Sequence, residues 1–514
     1  MRERPKIKRG TFVFADGPRK NDRTATYYYT DEYFRRNAAI LNPHLRTMSF
    51  ALCMACFPSM ESEDYERVYR NAETLLVDDL GFSDFEANED YKKKPAVNTL
   101  GMLLAHKVIQ DRGEDYSLIV MGLRGAGYGD EWGSNLVLGE TGSAQGFEKC
   151  MEYADAFLCS YLEKMEDKLC RRVKYWITGY SRVGGVSNLL GARIDRYAPA
   201  YRTETGNIFV YTFEAPAAAS KEDRRPYPSI HNTVNPHDIV PKLAPSVWGF
   251  RRYGVDDTVF PDIHSEEFNK KIPEVLERLH ELNPELVYDP SAFRTAYRKG
   301  KQILPVAEVK EKHGKHFDEW WYHAKQDEYL ERFMDFIGKR ISHPEDGDDP
   351  TDRERRLRFA KTYQSAFSAF ARTYLGGTEK EREAMISVVM QIYKKDLPTR
   401  RLAYILFRLW QNTEMSCRRL ENYLKGIIRK RIAENPATGL TAGRVNAFFD
   451  AVENLAYYVI KCCSYDVRRH KFSYVSTLLY NIKHIAMGHY PEVIMAWLQT
   501  MDSYYHDDMS ARLE

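Results

Sequence analysis

The sequence predicts an α/β fold: a mostly parallel sheet with helices on both faces, interrupted by a large helical insertion. Three observations predict it. Short apolar runs alternate with amphipathic helical stretches through the first 255 residues. Beyond 255 the pattern turns charged and helical. A glycine-flanked serine, Ser181, sits where one predicted strand gives way to a predicted helix.

The strand signals come first. S-L-I-V-M-G-L (117–123), K-Y-W-I-T (174–178) and I-F-V-Y-T-F (208–213) are short, rich in β-branched or aromatic residues, and bounded by turn residues. A weaker run covers 230–234. Between the first two lies 147–165, with Phe147, Met151, Ala154, Phe157, Leu158, Tyr161, Leu162 and Met165 at helical spacing. A second helix is predicted over 183–193. Strands alternating with helices make a parallel sheet covered on both sides. After 255, helices are predicted at 266–282, 317–341, 353–375, 380–395, 399–434 and 442–463. Breaks fall at Asn283-Pro284, 343–349, Gly376-Gly377 and Asn435-Pro436. The division expected is a core over 1–255, a helical cap over 256–470, and a return to the core over 471–514. Trp320, Trp321 and Tyr322 lie in the cap and read as helix-core residues.

Composition narrows the function classes. Hydrophobic residues make up 43% and charged residues 29%, the profile of a globular protein. The net charge of +2 leaves no overall footprint for nucleic acid. No apolar run reaches the roughly 20 residues that span a bilayer. The basic start M-R-E-R-P-K-I-K-R-G is not followed by an apolar segment of the signal-peptide kind. The expectation is a cytoplasmic protein with reduced thiols at Cys53, Cys56, Cys150, Cys159, Cys170, Cys417, Cys462 and Cys463. Cys53 and Cys56 have C-x-x-C spacing without the second pair of a zinc site, and M-S-F-A-L-C-M-A-C-F reads as a buried helix. Core thiols are expected there.

The motif W-I-T-G-Y-S-R-V-G-G at 176–185 carries the strongest chemical signal. A nucleophile elbow needs a tight strand-to-helix turn with small neighbours, so that the serine Oγ points outward. The backbone N–H of the next residue, Arg182, then faces a developing oxyanion at a helix N-terminus. Gly179 and Ser181 fit G-x-S-x-G, whereas Val183 occupies the fifth position. The bland reading is a tight turn with an inert serine. G-L-R-G-A-G-Y-G-D-E-W-G-S-N at 122–135 follows the first strand, where a second oxyanion donor belongs, and Gly125 and Ala126 are the candidates.

A serine at its free pKa is a weak nucleophile and needs a base with an orienting acid. V-N-P-H-D-I-V-P-K-L-A-P (234–245) follows the weak strand and places Asp238 on a late loop. Glu214, at the end of the 208–213 strand, is the rival acid. Among 14 histidines, His489 in M-G-H-Y-P-E-V-I-M-A-W-L follows Ser181 and Asp238 in order and lies in a short loop before a helix. His484 competes but reads as the end of the preceding helix. His237 adjoins Asp238, and adjacent side chains diverge.

At this point the chain resembles a family. Y-Y-Y-T-D-E-Y-F (27–34), N-P-H-L-R-T-M-S-F-A-L (42–52), L-R-G-A-G-Y-G-D-E-W-G-S-N, Q-G-F-E-K-C (145–150), I-T-G-Y-S-R-V-G-G-V-S-N-L-L-G-A (177–192), F-E-A-P (213–216), H-D-I-V-P-K-L-A-P and H-Y-P-E-V-I-M-A-W-L are similar to segments of bacterial lipase class 3 proteins, which have the α/β-hydrolase fold. The resemblance covers about 25–255 and 480–500. It implies Ser181 as nucleophile, Asp238 as acid, His489 as base, and oxyanion donors at the Ala126 and Arg182 backbone. It also implies an ester or lipid substrate and no metal or cofactor. Val183 departs from the family pattern, where Gly or Ala is usual. A peptidase or amidase on the same triad and a non-catalytic binding protein are the alternatives.

Overall fold

The computed structural model describes residues 7–17, 21–56, 70–92, 100–124, 145–220, 223–238, 240–242, 250–257, 259–262, 265–290 and 487–502, with isolated positions between 426 and 447. The chain divides into two units. The first comprises Met1–Asn135, Ser143–Tyr288 and Ala486–Glu514; the second comprises Leu136–Gly142 and Asp289–Ile485. The second falls almost wholly outside the described residues, as do the helices expected between 317 and 463 and the cap's position over the sheet.

The first unit is α/β. Its strands among the described residues are β1 (Lys8–Ala15), β2 (Asp22–Tyr29), β3 (Ser83–Ala87), β4 (Met102–Asp111), β5 (Glu114–Leu123), β6 (Val173–Tyr180), β7 (Ile208–Phe213), β8 (Ala219–Ser220), β9 (Ile230–Thr233), β10 (Phe250–Arg251) and β11 (Val255–Asp257). Seven of them form the central sheet, in the order β11-β9-β7-β6-β5-β4-β3. From β5 to β11 every pairing is parallel, whereas β4 and β3 are antiparallel additions. β6 and β7 lie at the centre, and every residue of both is buried. A sheet covered on both faces needs near-continuous apolar strands rather than alternating ones, and V-K-Y-W-I-T-G-Y and I-F-V-Y-T-F supply them.

Five helices complete the described part: α1 (Pro43–Ala55), α2 (Gln145–Lys164), α3 (Arg182–Arg196), α4 (Glu266–Leu282) and α5 (Pro491–Met501). The two-residue period of β6 sorts them onto opposite faces. Trp176 donates through Nε1 to Ser49 Oγ at 2.8 Å, Thr178 Oγ1 bonds the Ser49 carbonyl at 3.1 Å, and Tyr180 meets Phe50 edge-on at 5.5 Å. These residues face α1. The intervening Gly179 faces α3, where an added Cβ would lie 2.4 Å from Ser187 Oγ. Asn42 caps α1 by accepting from the His44 and Leu45 amides. Cys53 and Cys56 are buried at the end of α1, as expected of core thiols, and burial pushes the Cys56 thiol up to about 12.

The helix expected over 266–282, within the range given to the cap, is α4, which groups with the sheet unit. Its apolar stripe of Phe268, Val275, Leu279 and Leu282 is buried, and Phe268 packs against Trp497 of α5 at 5.5 Å. An amphipathic helix needs only one buried stripe, so its many charged residues did not decide its location. At the other end, α5 is anchored by buried Val493, Ile494, Trp497 and Leu498. Arg46 of α1 joins Asp257 of β11 at 2.7 Å and pairs with Asp502 at the end of α5.

His231 of β9 gives this unit a defined pH response. Its ring stacks on Tyr211 at 5.3 Å and its Nε2 bonds the Ala38 carbonyl at 2.8 Å. Burial holds its pKa below the ordinary 6.5. The unfolded chain therefore takes up the proton first as pH falls. The stability from neutral His231 is full above 6.5 and is lost as pH drops toward the lower folded value. The melting temperature should fall between about pH 7.5 and about pH 5.5, and fall less in His231→Gln. Equal slopes for the two proteins would assign the loss to another group.

Candidate active site

The site forms where β6, β7 and β9 end. β6 finishes at Tyr180, and Ser181 then turns the chain into α3 with φ 61° and ψ −130°. A non-glycine residue with positive φ carries strain of about 1–3 kcal/mol. The surrounding pairing holds it: the Ser181 amide donates to the Phe213 carbonyl at 2.9 Å, and the Ser181 carbonyl accepts from the Gly184 amide at 2.9 Å. α3 starts at Arg182, so the Arg182 N–H stands in the first turn, where helix N–H groups lack intrahelical partners.

The glycine pattern of the elbow explains Val183. A Cβ on Gly179 would lie 2.5 Å from the Val183 carbonyl oxygen, so that position admits no side chain. The close approach of helix to sheet falls one residue later than in G-x-S-x-G. A Cβ on Gly184 would lie 3.0 Å from both Ala215 Cβ and the Gly179 carbonyl. Val183 itself is fully buried. The departure therefore shifts the second small position to Gly184 and leaves the turn intact.

The structure brings three of the sequence-predicted residues into one line. His489 Nε2 lies 2.9 Å from Ser181 Oγ, and His489 Nδ1 lies 2.5 Å from Asp238 Oδ2. A carboxylate can only accept, so Nδ1 carries the hydrogen and Nε2 is left to accept from the serine hydroxyl. The other Asp238 oxygen accepts from the Val240 amide at 2.9 Å. Asp238 is fully buried and His489 nearly so, while Ser181 is half-buried. Arg182 also takes its expected place. Gly125 and Ala126 lie outside the described residues, and so does His484. The His237 ring lies 6.5 Å from the Phe268 ring.

Sequence reasoning missed two residues that hold His489. Tyr180 stacks on the His489 ring at 4.9 Å, and its hydroxyl donates to the His489 carbonyl. It occupies the variable position of the elbow, which carries no signal in a motif. Asn235 donates through Nδ2 to the Gly488 carbonyl at 2.7 Å, while its Oδ1 accepts from the His237 amide at 2.9 Å. It thereby ties the acid loop to the base loop. Asn before Pro marks a turn, and that was its available signal.

Glu214, the rival acid, is also at the site but in another role. It follows β7 with φ 49°, is fully buried, and accepts from the Asn235 amide with both oxygens at 2.9 Å. Burial, and then the neighbouring Asp238 charge, push its pKa well above the ordinary carboxylate value. No protein-family model, curated protein or solved structure matches this chain.

Proposed function

We propose that this protein is a serine hydrolase of the α/β-hydrolase fold that cleaves carboxylic esters through an acyl-enzyme. The observation that carries the reading is the unbroken hydrogen-bonded line from Ser181 through His489 to Asp238, set at the strained strand-to-helix turn. The resemblance to lipase class 3 proteins supports it from the sequence side.

The mechanism follows from the geometry. His489 Nε2 takes the hydroxyl proton as Ser181 Oγ attacks the ester carbonyl carbon. Asp238 holds the imidazole in the tautomer that can accept this proton and stabilises the imidazolium that forms. The carbonyl oxygen becomes an oxyanion, toward which the Arg182 N–H at the α3 terminus donates. The Ala126 N–H is the proposed second donor. The C–O bond to the alcohol breaks, and the alcohol leaves with the His489 proton. Water, deprotonated by the same imidazole, then cleaves the acyl–serine ester and restores Ser181. Oligomeric state does not enter this scheme.

The triad serves amides as well as esters, so a substrate panel decides the class. p-Nitrophenyl esters should be hydrolysed at least about 100-fold faster, in kcat/KM, than peptide anilides. Hydrolysis of the anilides alone would make the protein an amidase or peptidase. No turnover of either would favour a binding protein on this fold.

A further inference from the structure

We propose that Glu214 is a positioning residue for the triad, a neutral carboxylic acid that hydrogen-bonds Asp238 and fixes the loop that carries it. The proposal rests on the triad reading of Ser181, His489 and Asp238.

Three costs meet at Glu214. The side chain is fully buried, the backbone is in the left-handed region at φ 49°, and a second acid, Asp238, is a close neighbour. Each is unfavourable alone. The compensation is a set of contacts aimed at the catalytic loop. Both Glu214 oxygens receive the Asn235 amide. Asn235 in turn accepts the Asp238 amide on its carbonyl at 3.1 Å and reaches the Gly488 carbonyl, next to His489, through its side chain. The Glu214 amide donates to the Thr233 carbonyl at 2.9 Å, so strand pairing locks the residue's backbone to β9. The acid loop therefore hangs between Glu214 on one side and Gly488 on the other.

The charge logic is equally definite. Two carboxylates within hydrogen-bond reach in a buried site share one proton. Asp238 makes a short hydrogen bond to His489 and accepts from the Val240 amide, both of which favour its ionised form. Glu214 meets the Asn235 amide, with the Arg252 guanidinium the cation facing it. That guanidinium is engaged with the Ala215 and Pro241 carbonyls and with Asp256. Burial and the neighbouring Asp238 charge favour the protonated form of Glu214, which leaves the orienting of His489 to Asp238. A glutamine at 214 preserves this arrangement, because its amide NH₂ donates to Asp238 and its oxygen accepts from Asn235.

The test compares wild type, Glu214→Gln and Glu214→Ala by NMR titration of the His489 ring and by kcat and KM on a p-nitrophenyl ester. Glu214→Gln should keep the His489 midpoint and hold kcat within about threefold. Glu214→Ala should shift the midpoint by more than about 0.5 unit and lower kcat by about 10-fold or more with KM unchanged. An unmoved midpoint and rate in Glu214→Ala would overturn the proposal. So would a glutamine variant as impaired as the alanine variant, which would mean that an ionised carboxylate is required. Should Glu214→Ala not fold, Glu214→Gln decides alone: a kcat within about threefold of wild type with an unmoved His489 midpoint supports the assignment, and a loss of about 10-fold or more overturns it. A wild-type protein that hydrolyses no ester would refute the ester-hydrolase reading, and the His489 titration would still test the coupling to Glu214.

Discussion

Ser181→Ala is expected to fold as the wild type does and to lose about 10⁶-fold in kcat on any ester the protein cleaves. The size follows from the way the triad acts as a unit: without the nucleophile, the His489–Asp238 pair has nothing to activate. The fold survives because, among the described residues, the Ser181 side chain bonds only His489 Nε2, while the backbone bonds to Phe213 and Gly184 remain available. Alanine inherits the strain at φ 61°. Ser181→Gly removes it and should be more stable than Ser181→Ala by about 1 kcal/mol, read as a higher urea midpoint, though equally inactive. Ester hydrolysis retained in either variant would place the chemistry elsewhere.

Asp238→Asn should cost about 10⁴-fold in kcat. The asparagine amide would donate to His489 Nδ1, where the carboxylate accepts at 2.5 Å. The imidazole would then carry its hydrogen on Nε2 and present a donor to a serine hydroxyl whose proton it has to take. The Val240 amide would still find an oxygen at position 238, so the loop should hold its shape. Steady-state kinetics beside Glu214→Gln check the ranking. A larger loss in the Glu214 variant would exchange the roles of the two acids.

The parts of the fold legible in the sequence are those where one signal dominates. I-F-V-Y-T-F is buried on both faces, and its apolar run begins and ends where β7 does. α4 matches its predicted span because Ser265 caps it through the Phe268 amide and Asn283-Pro284 ends it. The antiparallel β4–β5 pair was hidden by its turn. Arg112 and Gly113 form a two-residue loop, with Asp111 paired to Glu114 and φ angles of 52° and 84°. Such a turn normally announces itself as Asn-Gly or Asp-Gly, and arginine at the first position removes the cue. β1 and β2 form a separate two-stranded antiparallel sheet, and the apolar-run signal that found the central strands is weak in K-R-G-T-F-V-F-A.

The same contrast runs through the site. Ser181 was legible because its glycines have a steric reason that a motif captures, and His489 because chain order and a loop before an anchored helix isolate it. Asp238 was preferred to Glu214 only for its place on a late loop, since both follow strands and both are acids. What distinguishes them is the three-dimensional fact that His489 meets one carboxylate and the Asn235 amide meets the other. Tyr180 and Asn235 act through a stacked ring and backbone carbonyls, contacts that leave no residue-type signature.

The central claim is that Ser181 is an activated nucleophile, and covalent labelling with a fluorophosphonate probe tests it without knowledge of the substrate. Such a probe phosphonylates a serine only where a base takes its proton and the oxyanion is stabilised. Wild-type protein should be labelled at one site, with the tagged peptide identified by mass spectrometry as the one containing Ser181. Ser181→Ala and His489→Ala should remain unlabelled. An unlabelled wild-type protein, or a label carried by another residue, would contradict the account.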